Sequence, residues 1–168
     1  MVAHTVFLTT PIEPSAPKPK TMYLGVDLKA YEFTAFNNYW VGAYGYREQD
    51  FKMLGDDYSG CIFNVYILDG GSSRSSCSAY YNLRGQYSTI RGTLGNAGPT
   101  NNCTGMFSIY LDNILYKEYP ITGNMSTQEI TIDVTGVQIL KITVTETSDD
   151  SVSSSAVTCC GFGNVTIE

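Results

Sequence analysis

Apolar and polar residues alternate with a period of two through four short segments in the second half of the chain. The segments are residues 88–94, 106–111, 130–135 and 140–145. Successive side chains of a strand point to opposite faces, so this period indicates strands that bury one face against a second layer. Short, evenly spaced strands of this kind predict an all-β fold, a single antiparallel β-sandwich of the jelly-roll type.

The connections between these segments are also readable. Asp112 and Asn113 lie between two apolar runs and tolerate positive φ, which predicts a two-residue hairpin. Residues 61–68 are almost all apolar, as expected for a central strand covered on both faces. We expect the first strand at 22–30, a turn at 55–58, and a closing strand at 161–168. No stretch has the apolar period and caps of a helix.

Four parts of the chain resemble a known family. They are residues 81–89 (YNLRGQYST), 92–95 (GTLG), 110–113 (YLDN) and 133–142 (DVTGVQILKI). Their order is similar to that of the NPCBM family, carbohydrate-binding modules found beside glycoside hydrolases and in bacterial surface proteins. The resemblance implies a β-sandwich with a non-catalytic, carbohydrate-binding function, targeting a secreted or surface protein to a polysaccharide or glycan.

The end of the chain departs from the sugar-binding members of that family. Those members end with a segment similar to D-H-x-D-W-A, whereas residues 158–164 read TCCGFGN. The acid, the histidine and the tryptophan are absent. The ending instead resembles the Y-G-F-A-N-V form of related surface modules, with Cys160 at the tyrosine position. This difference argues against galactose-type recognition.

Length and charge narrow the function classes. The chain has 168 residues and a formal net charge of −6, which disfavours nucleic acid and anionic membranes as partners. No apolar run reaches the ~20 residues of a membrane span. Residues 9–20 contain four of the six prolines and predict an extended linker. We therefore expect a tail and linker over 1–20 and a folded module over 21–168. It would be tethered to other domains, outside the cell or at its surface.

The motifs of common enzymes are absent. The sequence has no GxSxG, HExxH or P-loop motif, and its one histidine, His4, precedes the linker. A nucleophile of the serine or cysteine type would lack a base. We therefore expect that the chain is not an enzyme.

Five cysteines leave at least one thiol that cannot pair internally: Cys61, Cys77, Cys103, Cys159 and Cys160. Their spacing contains no CxxC pair, which disfavours a zinc site. Adjacent cysteines 159 and 160 would point to opposite faces of a strand. We expect buried free thiols, with a Cys61–Cys77 disulfide as the alternative.

Aromatic residues suggest where a sugar would bind. Rings pack on the flat C–H faces of sugars, and amide, acid and guanidinium groups bind the hydroxyls. The segment 37–47 alternates rings with turn residues, although the same rings could fill the core. The predicted ligand site comprises Tyr39, Trp40, Tyr44, Tyr46, Arg47, Asp56, Asp57 and Arg74. If Trp40 belongs to the core, the loops 69–76 and 95–105 are the next candidates.

Two questions stay open at this point. The adjacent acids Asp56–Asp57 and Asp149–Asp150 are either solvated loop residues or oxygen ligands of a structural calcium ion, and no other cofactor is expected. The alternative function is a structural or protein-binding adhesion module that does not bind sugar.

Overall fold

The computed structural model describes residues 21–36, 45–66, 76–98, 104–147 and 157–168. The predicted tail and linker over 1–20 lie outside these ranges. None of the described residues forms a helix long and apolar enough to cross a membrane. The strands are β1 (Met22–Tyr23), β2 (Glu32–Phe36), β3 (Gly45–Met53), β4 (Asp56–Tyr66), β5 (Ser76–Asn82), β6 (Thr89–Asn96), β7 (Thr104–Leu111), β8 (Ile114–Thr122), β9 (Gln128–Asp133), β10 (Ile139–Glu146) and β11 (Val157–Ile167).

The strands form two antiparallel sheets. The first has the order β3-β4-β11-β6-β9, with β1 also paired to β11, and the second has the order β2-β5-β10-β7-β8. From β4 to β7, and again from β8 to β11, each strand lies in the sheet opposite its predecessor. This repeated crossing wraps the chain around one core, and the predicted antiparallel β-sandwich is confirmed.

The inner faces of both sheets meet in a single large cluster of buried side chains. The predicted alternation is visible in β9 and β10, where Ile130, Ile132, Leu140, Ile142 and Val144 are buried. The intervening residues of β9 are exposed and those of β10 are partly exposed. Burial of apolar faces at roughly 25 cal/mol per Å² is the main favourable term holding the sheets together.

β4 is central and covered on both faces, as its apolar run predicted. Cys61 and Phe63 face the main core, whereas Ile62 joins a second cluster with Phe51 and Met53 on the outer face. The expected opposition of the adjacent cysteines is also confirmed, since Cys160 lies in the first cluster and Cys159 in the second.

The described cysteines are free and buried: Cys61, Cys77, Cys159 and Cys160. The alternative of a Cys61–Cys77 disulfide is therefore wrong. Burial raises the pKa of Cys61 to about 11 and that of Cys77 to about 12, so both remain protonated at neutral pH. Cys103 lies outside the described ranges.

Three boundaries differ from those expected. The first strand is only two residues long, because the carboxylate of Asp27 accepts a hydrogen bond from Tyr23 N at 2.9 Å and closes a turn there. The turn between β3 and β4 comprises Leu54 and Gly55, so Asp56 already belongs to β4. The last strand, β11, begins at Val157 and not at residue 161, and it lies between β4 and β6 in its sheet.

Two glycines of β11 allow aromatic rings to lie across its outer face. A Cβ on Gly161 would be 2.5 Å from the Phe51 ring, and a Cβ on Gly163 would be 2.7 Å from Tyr58 Cβ. The two rings stack with their centroids 6.1 Å apart. The rings therefore cover the outer face of the strand in place of the side chains that these two positions lack.

The hairpin between β7 and β8 forms where it was predicted. Asp112 and Asn113 have φ values of 49° and 67°, and Leu111 pairs with Ile114. The Asp112 carboxylate also accepts hydrogen bonds from Gln138 N at 3.0 Å and Ile139 N at 2.8 Å. The turn thus holds the start of β10 as well as its own two strands.

Replacing Asn113 tests this turn. Asn113→Val should lower the unfolding free energy by about 1 kcal/mol, because a β-branched residue resists the left-handed conformation. Asn113→Gly is the matched control and should be close to neutral. The measurement is urea unfolding at pH 7. Equal stability of the valine variant and the wild type would contradict the turn assignment.

Candidate functional site

A cleft of about 490 Å³ opens in the first sheet where β1 gives way to β4. β4 pairs with β11 as far as Gly163, and β1 pairs with it from Thr166 onward. Between these points β11 bulges, and Asn164 adopts a φ of 51°. The side chains that matter most for its chemistry are Tyr23, Lys29, Glu48, Asp50, Ser59 and Asn164.

The turn after β1 presents an aromatic ring at the rim of the cleft. The Tyr23 carbonyl accepts hydrogen bonds from the amides of Asp27 at 2.7 Å and Leu28 at 3.2 Å. Gly25, with a φ of 82°, is required here because a Cβ would be 2.7 Å from Cys61 Sγ. The Tyr23 side chain is left 48% exposed, beside the equally exposed Val26.

Glu48 is the most strongly held acid of the cleft. Its carboxylate accepts hydrogen bonds from Lys29 Nζ at 2.8 Å, Ala30 N at 3.0 Å and the Tyr46 hydroxyl at 2.7 Å. Its side chain is only 14% exposed. Burial by itself would raise the pKa of Glu48, but these three donors outweigh it and hold that pKa below its ordinary value of 4.5.

Behind Glu48 a chain of hydrogen bonds runs into the core. The Tyr46 hydroxyl donates to Glu48, so its oxygen accepts from the Tyr81 hydroxyl at 2.5 Å. The Tyr81 oxygen in turn accepts from the Cys61 thiol at 2.9 Å. Burial raises the pKa of Tyr46 and of Tyr81 well above the usual value for tyrosine. Every polar group in this chain therefore has a partner, and Glu48 is held in one orientation.

The opposite wall of the cleft is polar as well. Ser59 Oγ donates to the Asp50 carboxylate at 2.5 Å, and Ser59 N donates to Asn164 Oδ1 at 3.2 Å. Asp50 and Asn164 thus give the cleft a set of polar groups, and Tyr23 also lines it. Such a set can bind hydroxyl groups of a ligand whose apolar face rests on the ring.

The described members of the predicted site lie at separate places. Tyr46 lies beneath the cleft, with its hydroxyl turned toward Glu48 and the core. Arg47 is half-buried on β3. Asp56 and Asp57 are exposed at the start of β4, where Asp57 pairs with Lys52. The structure does not describe Tyr39, Trp40, Tyr44 and Arg74. A ligand platform built from these eight residues stays a prediction.

The calcium prediction stays a prediction too. Within the described residues, no group of three or more acidic, histidine or cysteine side chains is arranged to hold a metal ion. The acids 149 and 150 lie outside the described ranges.

Sequence reasoning missed the cleft itself. Tyr23 and Lys29 were assigned to a continuous strand, and no motif marks the turn that brings them against β3. A usable signal was the alternation of Tyr46, Glu48 and Asp50, which puts three polar groups on one face of a strand that leads to the core. Asn164 has no such signal, because its place depends on the bulge in β11.

Comparison with known proteins agrees with the fold. A family model described as NPCBM/NEW2 domain matches residues 68–158, more than half of the chain, and includes all four segments of the resemblance. No curated protein matches the chain in sequence.

Solved structures share the sandwich at low sequence identity. A CBM51 module of a family 95 glycoside hydrolase from Clostridium perfringens, in complex with methyl-galactose, has a TM-score of 0.56 and 17% identity, over 89% of this chain and 100% of that one. The CBM51-2 and INT domains of ZmpB from the same organism, in complex with GlcNAc, have a TM-score of 0.56 and 15% identity, over 88% of this chain and 31% of that one. Tandem CBM51 modules of a family 98 glycoside hydrolase from Streptococcus pneumoniae have a TM-score of 0.58 and 10% identity, over 97% of this chain and 52% of that one.

The lowered pKa of Glu48 predicts that this residue contributes to stability in a pH-dependent way. A carboxyl with a lowered pKa stabilises the fold fully above its unfolded pKa, and the contribution is lost as the pH falls through the folded pKa. Glu48→Gln should therefore lower the unfolding free energy by about 1 kcal/mol at pH 7 and by less at pH 3. Urea unfolding at the two pH values measures both differences.

The exposed Glu32 provides the control for that experiment. Glu32→Gln should change stability little at either pH, because surface charges contribute little. If Glu48→Gln lowers the unfolding free energy equally at pH 7 and pH 3, the charge of Glu48 does not stabilise the fold.

Proposed function

The chain belongs to the NPCBM/NEW2 domain family, and on that premise we propose that it is a non-catalytic module that binds a glycan in the cleft between β1 and β4. The observation that supports this function is the exposed ring of Tyr23 beside the polar wall formed by Asp50 and Asn164. Sugars need both kinds of surface, since their C–H faces are apolar and their hydroxyls require hydrogen-bond partners.

The charges of the cleft favour an uncharged sugar. Lys29 is neutralised by Glu48 at 2.8 Å, which leaves the Asp50 carboxylate as the unbalanced charge among the residues that line the cleft. A carboxylate or sulfate on the ligand would meet this negative charge without a free cation to compensate it. We therefore expect the cleft to select a neutral glycan over sialylated or sulfated ones.

Catalysis by the cleft is disfavoured by the state of Glu48. A glycosidase of the common type needs one protonated carboxyl with a raised pKa. The pKa of Glu48 is instead lowered, and its oxygens already accept three hydrogen bonds. The pKa of Glu48 therefore suits it for an ion pair and hydrogen bonding rather than for proton donation.

The setting of the module is part of the proposal. Two of the similar structures were solved with sugars, methyl-galactose and GlcNAc, and the chain spans only 31% of the second of these. We propose that this chain likewise forms one part of a larger secreted or surface-attached protein, which it directs to a polysaccharide or glycan. The proline-rich residues 9–20 would then separate it from its neighbour.

Substitution of two cleft residues tests the site. A glycan array first identifies a neutral sugar that the wild type binds. Tyr23→Ala and Asp50→Ala should each weaken binding of that sugar by about tenfold or more, by analogy with base stacking and charged hydrogen bonds. The melting temperature should change little, since both side chains lie at the cleft surface. Isothermal titration calorimetry gives the dissociation constants.

Tyr116→Ala is the matched control, because Tyr116 is a comparably exposed tyrosine (45%) away from the cleft. Unchanged affinity of the Tyr23 and Asp50 variants, or equal loss in the Tyr116 variant, would reject the cleft as the site. Release of sugar from any glycan by the purified chain would reject the non-catalytic assignment.

Trp40 reports on the ligand platform predicted from sequence. It is the only tryptophan, so its fluorescence is unambiguous. If it belongs to the platform, its emission should be red-shifted and should change when the neutral sugar is added. A blue-shifted emission that does not respond to sugar would remove Trp40 from the platform.

A further inference from the structure

The outward face of the second sheet has a row of large side chains running across its strands. Tyr80, Lys141 and Tyr110 are direct neighbours on β5, β10 and β7. Tyr31 extends the row beyond Tyr80, with the ring centroids 6.3 Å apart, and Leu115 of β8 is the neighbour of Tyr110. We call these five residues the tyrosine row.

Lys141 fixes the two central rings. Its ammonium lies 5.5 Å from the centroid of the Tyr80 ring and 4.8 Å from that of Tyr110, which is within the range of cation–π attraction. Among the described residues it takes part in none of the ion pairs. The cation therefore holds the rings in place and keeps spare hydrogen-bond donors.

The tyrosine row is long and open at both ends. It crosses four spacings between strands of about 4.8 Å each, so it extends roughly 19 Å. Tyr31 is 55% exposed at one end and Leu115 is 49% exposed at the other, whereas the central members are partly covered by one another. A ligand that used the full row would have to be extended and to lie across the strands.

A polar row runs beside the tyrosine row, two residues away on the three central strands and three residues away at each end. Its members are Thr34, Ser78, Thr143, Ser108 and Glu118. The two serines are buried and hold the outer groups in place, because Ser78 bonds Thr143 at 2.8 Å and Ser108 donates to Glu118 at 2.9 Å. The accessible groups are thus two threonine hydroxyls and one carboxylate.

We propose that this face binds an extended stretch of a neutral polysaccharide, at a site separate from the cleft. The proposal rests on the proposed function only in the chemical class of the ligand. Rings beside hydroxyls match the alternating C–H faces and hydroxyl edges of a sugar chain. The fixed rings lower the ordering cost of binding.

The charges of the face decide between neutral and acidic polymers. Glu32 and Glu118 lie on either side of Lys141, and the whole chain has a net charge of −6. The two carboxylates outnumber the one ammonium of Lys141, so a polyanion would be repelled on balance, whereas a neutral polymer would not. Lys141 also interrupts the apolar surface, which makes the face a poor match for an apolar protein surface.

Affinity gel electrophoresis of the full chain tests the proposal. The polymers are galactomannan, xylan, mixed-linkage β-glucan and, as the acidic contrast, polygalacturonate. At least one neutral polymer should retard the wild type, and polygalacturonate should not. Tyr110→Ala and Lys141→Met should raise the apparent dissociation constant for that polymer about tenfold, whereas Tyr110→Phe should not.

The cleft variant separates the two sites. The Asp50→Ala variant should still be retarded by the polymer but should bind the short neutral sugar more weakly. The Tyr110→Ala variant should bind the sugar normally but should be retarded less by the polymer. Loss of both ligands in Asp50→Ala would show that the polymer occupies the cleft and would overturn the separate site. The proposal is also overturned if no neutral polymer retards the wild type, if Tyr110→Ala is retarded normally, or if polygalacturonate binds instead. Thermal unfolding of each variant confirms that it is folded.

Discussion

The hydrogen bonding of β11 to three strands is the constraint on which the rest of this structure depends. It pairs with β6 on one side and with β4 and then β1 on the other. Its inward residues Cys160 and Phe162 complete the core, and its outward glycines make room for the rings of β3 and β4. Where the pairing passes from β4 to β1, the strand bulges at Asn164, and the cleft opens at that junction. A strand from the end of the chain thus determines both the closure of the core and the position of the site.

The cleft is polar at its surface and stays polar for some distance below it. From Glu48 the hydrogen bonds pass through Tyr46 and Tyr81 to the thiol of Cys61. Burying such groups costs free energy unless all of them are paired, and a fully paired chain also favours one arrangement over others. The second sheet fixes its outward tyrosines differently, with the ammonium of Lys141 between two rings. In the cleft, Ser59 also holds Asp50 and Asn164, which are proposed to meet the glycan. In both places polar or aromatic groups are thus held before the glycan binds, which reduces the ordering cost of binding.

Much of the fold could be predicted because its signals are local. The alternation in β9 and β10, the apolar run of β4 and the Asp112-Asn113 turn each follow from neighbouring residues, and each was confirmed. The short β1 was missed although its cause is local, the Asp27 turn that follows it. The central position of β11 could not be predicted, because it depends on which strands pair over long sequence distances. The cleft was missed for the same reason, since Tyr23, Glu48 and Asn164 come together only through the pairing of β11. Tyr46 shows the opposite problem, because an aromatic residue in a polar segment suggests a surface ring, whereas its hydroxyl turns toward the core.

An amide chemical-shift titration of the ¹⁵N-labelled chain tests most directly whether the cleft binds a neutral glycan. The neutral sugar identified by a glycan array would be added in steps to the folded protein. The largest shift changes should occur at Tyr23, Asp50 and Asn164, which line the cleft, with small changes in the strands of the second sheet. Saturable shift changes that leave these three amides unmoved would contradict glycan binding in the cleft.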